Sequence, residues 1–254
     1  MPHSHAMTDS TPSPADRTTT TATATTTATA PDLTGIRLAH RAILGDIDRL
    51  VTLLTDLTTR TRTTTRVTAP PVDHAHARAV AAYVHRFNAA VRHHHRNEDD
   101  ILWPVVAAAA EGAVDLAPLS EEHDALQPLQ DACDWAATLF GEAPAQHAGR
   151  LAEALTAQRD VLVDHITAEE RDLFPVITRH VRAQDYADAE ARIRRATPVE
   201  HAAWMRGWLM SYATTEDLRV LAPGGASTAA AGAESVFRAY TDDEVEVFGA
   251  YADH

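Results

Sequence analysis

The sequence predicts an all-α protein, an antiparallel up-down four-helix bundle with a C-terminal helical extension. Three observations carry this expectation. Apolar residues recur by alternating steps of three and four from about residue 32 to about residue 182, the period of one helix face. Strand-like alternation is essentially absent. The interruptions, "TRTTTRVTAPP", "EGAVDLAPLS" and "FGEAPAQ", are short and carry turn chemistry, so successive helices are expected to run antiparallel.

With 254 residues, 45% of them hydrophobic, the chain has ample material for one packed core. Residues 1–31 are mostly Thr, Ala, Pro and Ser in low-complexity order, and are expected to form a disordered arm in which His3 and His5 have nothing to pack against. The bundle is expected over 32–182, a helical extension over 183–220, and a linker with an acidic tail over 221–254.

The first helix carries the stripe Ile36, His40, Ile43, Ile47, Leu50, Leu54 and Leu57, which places His40 among aliphatics. The second, over roughly 72–110, carries Val80, Val84, Phe87, Val91, His94, Glu98, Ile101 and Val105. The third, over roughly 118–140, carries Leu119, His123, Leu126, Gln130, Cys133, Ala137 and Phe140. The fourth, over roughly 146–180, carries Leu151, Leu155, Gln158, Leu162, His165, Glu169, Asp172 and Val176. Beyond residue 182 the period weakens, although Trp204, Trp208 and Leu209 share a spacing that suits a helix docked on a bundle.

An internal repeat links the second and fourth helices. "HHRNEDDILWP" (residues 94–104) and "HITAEERDLFP" (residues 165–175) align His with His, Glu with Glu, then an acid, Leu, an aromatic and Pro. The bundle therefore reads as two helix pairs, each supplying a lone histidine and then a His/Glu pair. Histidine and glutamate four apart lie one above the other on a helix face, so His94/Glu98 and His165/Glu169 each form a chelating pair.

A carboxylate buried in an aliphatic core without a partner costs several kcal/mol or is forced to protonate, and a buried imidazole also needs hydrogen bonds. Six such groups on four seams, His40, His94, Glu98, His123, His165 and Glu169, call for one shared compensator. Multivalent cations supply it, and four imidazoles with two carboxylates suit iron or manganese. Taken singly, His40 or His123 would read as a core histidine bonded to a backbone carbonyl, and Glu98 as an exposed helix acid; their coincidence on facing seams favours the metal.

His93 and His95 lie about a quarter-turn to either side of the seam, at about 100° per residue, and are expected in solvent or behind the ligands. The competing pair His95/Asp99 would rotate Val84, Phe87 and Ile101 out of the core. Pro104 and Pro175 each remove an amide donor and are expected to bend their helices just past the His/Glu pairs. Asp172, which takes the place of Ile101 in the repeat, either bonds a ligand histidine or faces solvent. Cys133 reads as a small core residue, and His85, His147, His180 and His201 as surface residues.

With these residues in place, the chain resembles the hemerythrin-like, or HHE cation-binding, family over roughly residues 32–182. The repeated "HxxxE(E/D)xxx(W/F)P" after lone histidines carries the resemblance. It implies a hemerythrin-like four-helix bundle around two non-haem iron ions, with an oxo or hydroxo bridge as an option, in preference to manganese or zinc. His40, His94, His123 and His165 would be terminal ligands, and Glu98 and Glu169 would bridge. Two departures stand out from the oxygen-carrying members. Their third helix has His-x-x-x-His where this chain has Gln127 four residues after His123, and their fourth has His-x-x-x-x-Asp where Glu169 and Glu170 follow His165. One terminal imidazole is then missing, which favours exchange-labile or peroxide-reactive iron over reversible oxygen carriage. Ferritin-like bundles use Glu-x-x-His, and no Glu in this chain has a His three residues later.

The expected function is a protein that binds O2, NO or peroxide in oxygen or redox handling or sensing. A peroxide-degrading enzyme and an iron-storage or iron-responsive module are the alternatives. A net charge of −14 argues against a nucleic-acid partner. No apolar run is long enough for a membrane span, the N-terminus lacks the basic start and apolar block of a secretory signal, and a single cysteine suits a reducing compartment, so a cytoplasmic location is expected.

Overall fold

The structure is a computed structural model that describes residues 30–63, 73–221, 238 and 240–249. The expected N-terminal arm up to residue 29, most of the "TRTTTRVTAPP" break and nearly all of the "LAPGGASTAAAGAE" linker lie outside the described residues.

Among the described residues every regular element is helical. The bundle begins with α1 (Thr34–Thr63) and α2 (His74–Asn97), which passes through a π turn (Glu98–Leu102) into α3 (Trp103–Ala110). It is completed by α4 (Ala117–Glu142), α5 (Pro144–Asp172) and α6 (Phe174–His180). The extension supplies α7 (Ala183–Ala196), α8 (Val199–Ser211) and α9 (Thr215–Leu221), and the chain is helical again over 240–248.

Aspartates satisfy free amides at three helix starts. Asp32 Oδ1 accepts from Thr34 N at 3.0 Å, Asp73 Oδ1 from Ala75 N at 3.2 Å and Asp115 Oδ1 from Ala117 N at 3.1 Å. Helix α3 stops where Glu111 and Gly112 turn left-handed, at φ 47° and 86°. Ala143 alone separates α4 from Pro144, the first residue of α5. Pro128 sits inside α4 but on its exposed face, where the lost amide bond does not disturb the core.

All seven stripe residues of α1 are buried. Each aliphatic among them contributes roughly 1.5–3 kcal/mol by leaving water. On α2 the stripe holds through Val80, Val84, Phe87 and Val91, and then slips by one residue: Leu102 and Val106 are buried, while Val105 is half-buried. The π turn causes the slip. Pro104 offers no amide to Asp100 and its ring crowds that carbonyl, so the turn before it widens to five-residue bonds, with Trp103 N donating to Glu98 O. The second repeat also slips before Pro175, here through a break at Leu173 between α5 and α6 rather than a π turn. Leu173 and Ile177 are buried and Val176 is half-buried, while Asp172 faces solvent and clasps Arg171 at 2.7 and 2.5 Å. The seam positions read for Val105, Asp172 and Val176 are thereby corrected to Val106, Leu173 and Ile177.

Three sides of the bundle close helix on helix, α1 on α5, α5 on α4 and α4 on α2. The side between α1 and α2 is filled from the C-terminal extension. Trp208 of α8 meets Phe87 of α2 at 6.3 Å between rings and donates Nε1–H to Asp46 of α1 at 2.8 Å. Trp204 meets Tyr83 at 5.7 Å, and Tyr240, Val247 and Phe248, from what reads in sequence as an acidic tail, are buried in the same core. At the opposite end, a smaller apolar cluster joins Ile36, Trp103, Val106, Phe174 and Ile177 to Tyr186 of α7. The polar residues of the seams lie between these two clusters.

Gly45 lets Tyr212 lie flat on α1, because a Cβ there would strike the phenol ring. Gly45→Ala would gain roughly 1 kcal/mol of helix propensity on an unencumbered surface. Here it is expected to dislodge Tyr212 from Asp46 and lower stability by about 1 kcal/mol net, since a hydrogen bond to a charged group contributes about 1.5–3 kcal/mol. A urea titration decides by sign: a more stable variant would mean that Tyr212 does not bind Asp46.

Candidate metal centre

His40 is the seventh residue of α1 and His123 the seventh of α4. Antiparallel packing brings them level with His94, Glu98, His165 and Glu169 on α2, the π turn and α5. All six residues anticipated from sequence therefore converge at one end of the bundle. They do so with a seventh, His95.

The ring nitrogens divide into two sets, His40 with His94 and Glu98, and His95 with His123 and His165, the ligand atoms in each set lying within 4.8 Å of one another. Glu98 stands between the sets: Oε1 lies 3.0 Å from His94 Nε2 and 3.9 Å from His40 Nε2, whereas Oε2 lies 3.6 Å from His123 Nε2. Glu169 does the same from the other side, its Oε2 lying 3.5 Å from His40 Nε2 and 3.8 Å from His165 Nε2.

His95 corrects the expectation of a residue in solvent or behind the ligands. It is only 5% exposed and its ring lies parallel to His123 at 4.2 Å. A straight helix cannot aim both His94 and His95 along one narrow stripe, but just before the π turn the two rings splay, 5.6 Å between centroids, His94 toward His40 and His95 toward His123. The repeat holds the signal that would have revealed it: His95 aligns with Ile166, which is buried on α5. His93 stays on the outside, with Nε2 3.2 Å from Thr197 Oγ1. Gln127 is exposed, so the fifth imidazole comes from the second helix rather than the third. Cys133 is a buried core residue whose thiol is pushed up to about 12 by burial.

The second acid and the aromatic of each repeat hold the lone histidine of a neighbouring helix, α4 for the first repeat and α1 for the second. Asp99 Oδ2 accepts from His123 Nδ1 at 2.9 Å, and Glu170 Oε1 from His40 Nδ1 at 2.9 Å. Trp103 stacks on His123 at 6.4 Å and Phe174 on His40 at 5.7 Å, each within 15° of parallel. Glu122 accepts from His165 Nδ1 at 2.8 Å. With Nδ1–H committed to a carboxylate, Nε2 of His123 and Nε2 of His165 each carry a lone pair. His123 Nε2 and His165 Nε2 nevertheless face each other at 3.2 Å. Two lone pairs so disposed repel unless a cation lies between them.

The remaining atoms make the same demand. His40, His94 and His95 Nε2 and all four carboxylate oxygens of Glu98 and Glu169 are buried with no hydrogen-bond partner in the chain. Leaving any one of them so costs about 1–3 kcal/mol, and more for a charged oxygen. Burial, then the neighbouring imidazoles, hold His94 and His95 well below the usual histidine range, and burial lowers His165 as well, so these rings are neutral ligands at pH 7. Burial, then Glu98, pushes Glu169 well above the carboxylate range. Burial also works against a charge on His40, but Glu170, Glu98 and Glu169 outweigh it and push its pKa up to about 10. Five imidazoles and two carboxylates with this disposition fit a pair of metal ions.

Compared with known families, the chain matches the Hemerythrin HHE cation binding domain over residues 32–177. No curated protein and no solved structure matches it.

Because metal-free His40, its pKa pushed up to about 10, holds a proton at pH 7 and burial favours the neutral carboxyl of Glu169, cation uptake must displace protons. Affinity is expected to rise with pH below about 10, by about tenfold per unit for each proton displaced, and loading in weak buffer should acidify the medium. Uptake without proton release would contradict these protonation states. His95→Ala is expected to lower the metal stoichiometry while His93→Ala leaves it unchanged, and Asp99→Asn to weaken affinity about 10–100-fold. Equal stoichiometry in the two histidine variants would remove His95 from the site.

Proposed function

The chain belongs to the hemerythrin HHE cation-binding domain family, and from that membership we propose a non-haem di-iron protein that binds O2, NO or peroxide in oxygen and redox handling. One observation carries the reading: the buried ring nitrogens form two sets, of three imidazoles and of two, and two carboxylates without hydrogen-bond partners stand between them. Iron suits this donor set better than zinc, whose structural sites are closed and four-coordinate, and better than manganese or magnesium, which favour oxygen-rich sites. Asp99, Glu122 and Glu170 behind the rings add negative charge that favours ions of higher charge.

When bound, such an iron pair supplies redox change and open coordination positions. The chain's residues decide where a ligand arrives. His40, in the set with fewer nitrogens, lines a cleft of about 570 Å³ between α1 and α5, with Leu44 and Ile166 as apolar walls and Arg37 and Arg41 beside it. A small ligand entering there meets the more open position first. On the other side, Trp103, Leu102 and Val106 keep water from the three-imidazole set. Glu170, half-buried and tied to both His40 and Arg37, is placed to carry protons between His40 Nδ1 and the cleft. No helix among the described residues is long and apolar enough to cross a membrane. The proposed location is the cytoplasm, where a lone buried thiol stays reduced.

Protein reconstituted with ferrous iron in air is expected to hold two irons per chain, with a visible spectrum that shifts on adding nitric oxide or peroxide. Fewer than one iron per chain, or the same spectrum after His94 and Glu98 are replaced by Ala, would reject the assignment. Added peroxide separates binding from turnover: a lasting spectral change marks a binder, and sustained oxygen evolution marks a peroxide-degrading enzyme.

A further inference from the structure

A second buried polar constellation lies farther along the bundle and plays no part in holding metal. Asp46 of α1 is wholly buried and accepts from Tyr83 Oη at 2.5 Å, Tyr212 Oη at 2.6 Å and Trp208 Nε1 at 2.8 Å, with Arg49 Nη1 at 3.4 Å. Oxidisable rings surround the carboxylate without a gap. Trp208 stacks on Trp204 at 5.7 Å, Trp204 meets Tyr83 at 5.7 Å and Tyr240 at 5.8 Å, and the hydroxyls of Tyr83 and Tyr240 stand 3.4 Å apart. Trp208 also packs against Phe87, seven residues before His94 on α2 and so about 10 Å along the axis from the metal centre. On α1, Asp46 follows His40 by six residues, about 9 Å.

Docking of the extension accounts for the aromatic area but not for the acid. Replacing a buried ion network with apolar side chains is often neutral or stabilising, so a purely adhesive contact has no need of Asp46. The carboxylate does what apolar packing cannot: it takes a proton. A phenol buried this deeply loses an electron readily only if its proton leaves in the same event. Burial, then Asp46, pushes Tyr83 far above the tyrosine range, which closes the route through a free tyrosinate. Burial likewise raises Asp46, making it a stronger base than an exposed carboxylate.

We propose that Tyr83 and Asp46 form a proton-coupled one-electron donor, connected through Trp204, Trp208 and Tyr240, that delivers electrons to the metal centre when peroxide is the oxidant. The source of the oxidising equivalent rests on the di-iron reading above. Tyr83 gives up one electron and its phenolic proton; the proton moves to Asp46 Oδ2, leaving a neutral tyrosyl radical and a neutral carboxyl. Reduction of one peroxide to two waters takes two electrons and two protons. Each oxidation of Tyr83 is reversed by an external one-electron reductant of the ascorbate or thiol class, acting through Trp204, Trp208 and Tyr240, as Asp46 returns the phenolic proton. Two such rounds, with two reductant equivalents, supply both electrons, and the two protons come from solvent. The half-buried Tyr212, whose hydroxyl is bound to Asp46, gives the network its contact with the surface.

The test is freeze-quench electron paramagnetic resonance of the iron-loaded full chain mixed with hydrogen peroxide. A tyrosyl signal is expected, lost in Tyr83→Phe and in Asp46→Asn while iron content and visible spectrum match the parent. Asn still accepts hydrogen bonds but takes no proton, so loss in that variant separates a proton acceptor from a docking residue. A signal that persists in Tyr83→Phe, or one that disappears in Trp103→Phe instead, overturns the proposal, as does no signal from fully loaded protein. If iron does not bind, metal-free protein oxidised by a photoexcited ruthenium complex carries the same test. There a Tyr83-dependent radical upholds the donor pair without the di-iron reading, and its absence overturns it.

Discussion

Two carboxylates, Glu98 and Glu169, are buried where four helices meet, and the rest of the structure is arranged around their charge. Neither oxygen pair has a hydrogen-bond partner in the chain, and each lies between imidazole nitrogens of two different sets. An aliphatic bundle tolerates such groups only if cations, or protons in their absence, neutralise them. The aliphatic seams, the two flanking apolar clusters and the carboxylates behind the rings then make sense together: they exclude water, fix the rings and leave the Nε2 lone pairs directed inward.

The repeat expresses this demand as a local rule. In each half, a His/Glu pair is followed by an acid that fixes the Nδ1 of the lone histidine on a neighbouring helix and by an aromatic that stacks on its ring. The halves differ where chemistry would need them to. His95 in the first half is Ile166 in the second, so the sets hold three and two imidazoles, and the smaller set is the one that borders the cleft.

Much of this is legible in the amino-acid order because it follows from helical period. A stripe such as Ile43, Ile47, Leu50 and Leu54 fixes which face is inward, and His40 sits on it by spacing alone. His95 is not legible that way. Period reasoning assumes a uniform 3.6-residue turn, whereas Pro104 widens the preceding turn and shifts the register from Val105 to Val106. The fourth side of the bundle escapes sequence reading for a different reason. Trp204, Trp208 and Tyr240 meet Tyr83 and Phe87 across more than a hundred residues, and Asp46 lies off the α1 stripe, so the helical period does not mark it as the acceptor of those donors.

The central claim is that Glu98 and Glu169 join two ions, one held by His95, His123 and His165 and the other by His40 and His94. Crystallographic anomalous scattering at the iron edge, from crystals of iron-loaded protein, tests it most directly. The account predicts two peaks between the carboxylates, with His95 Nε2 ligating the ion shared with His123 and His165. A single peak, or two peaks with His95 turned away from both, would contradict it.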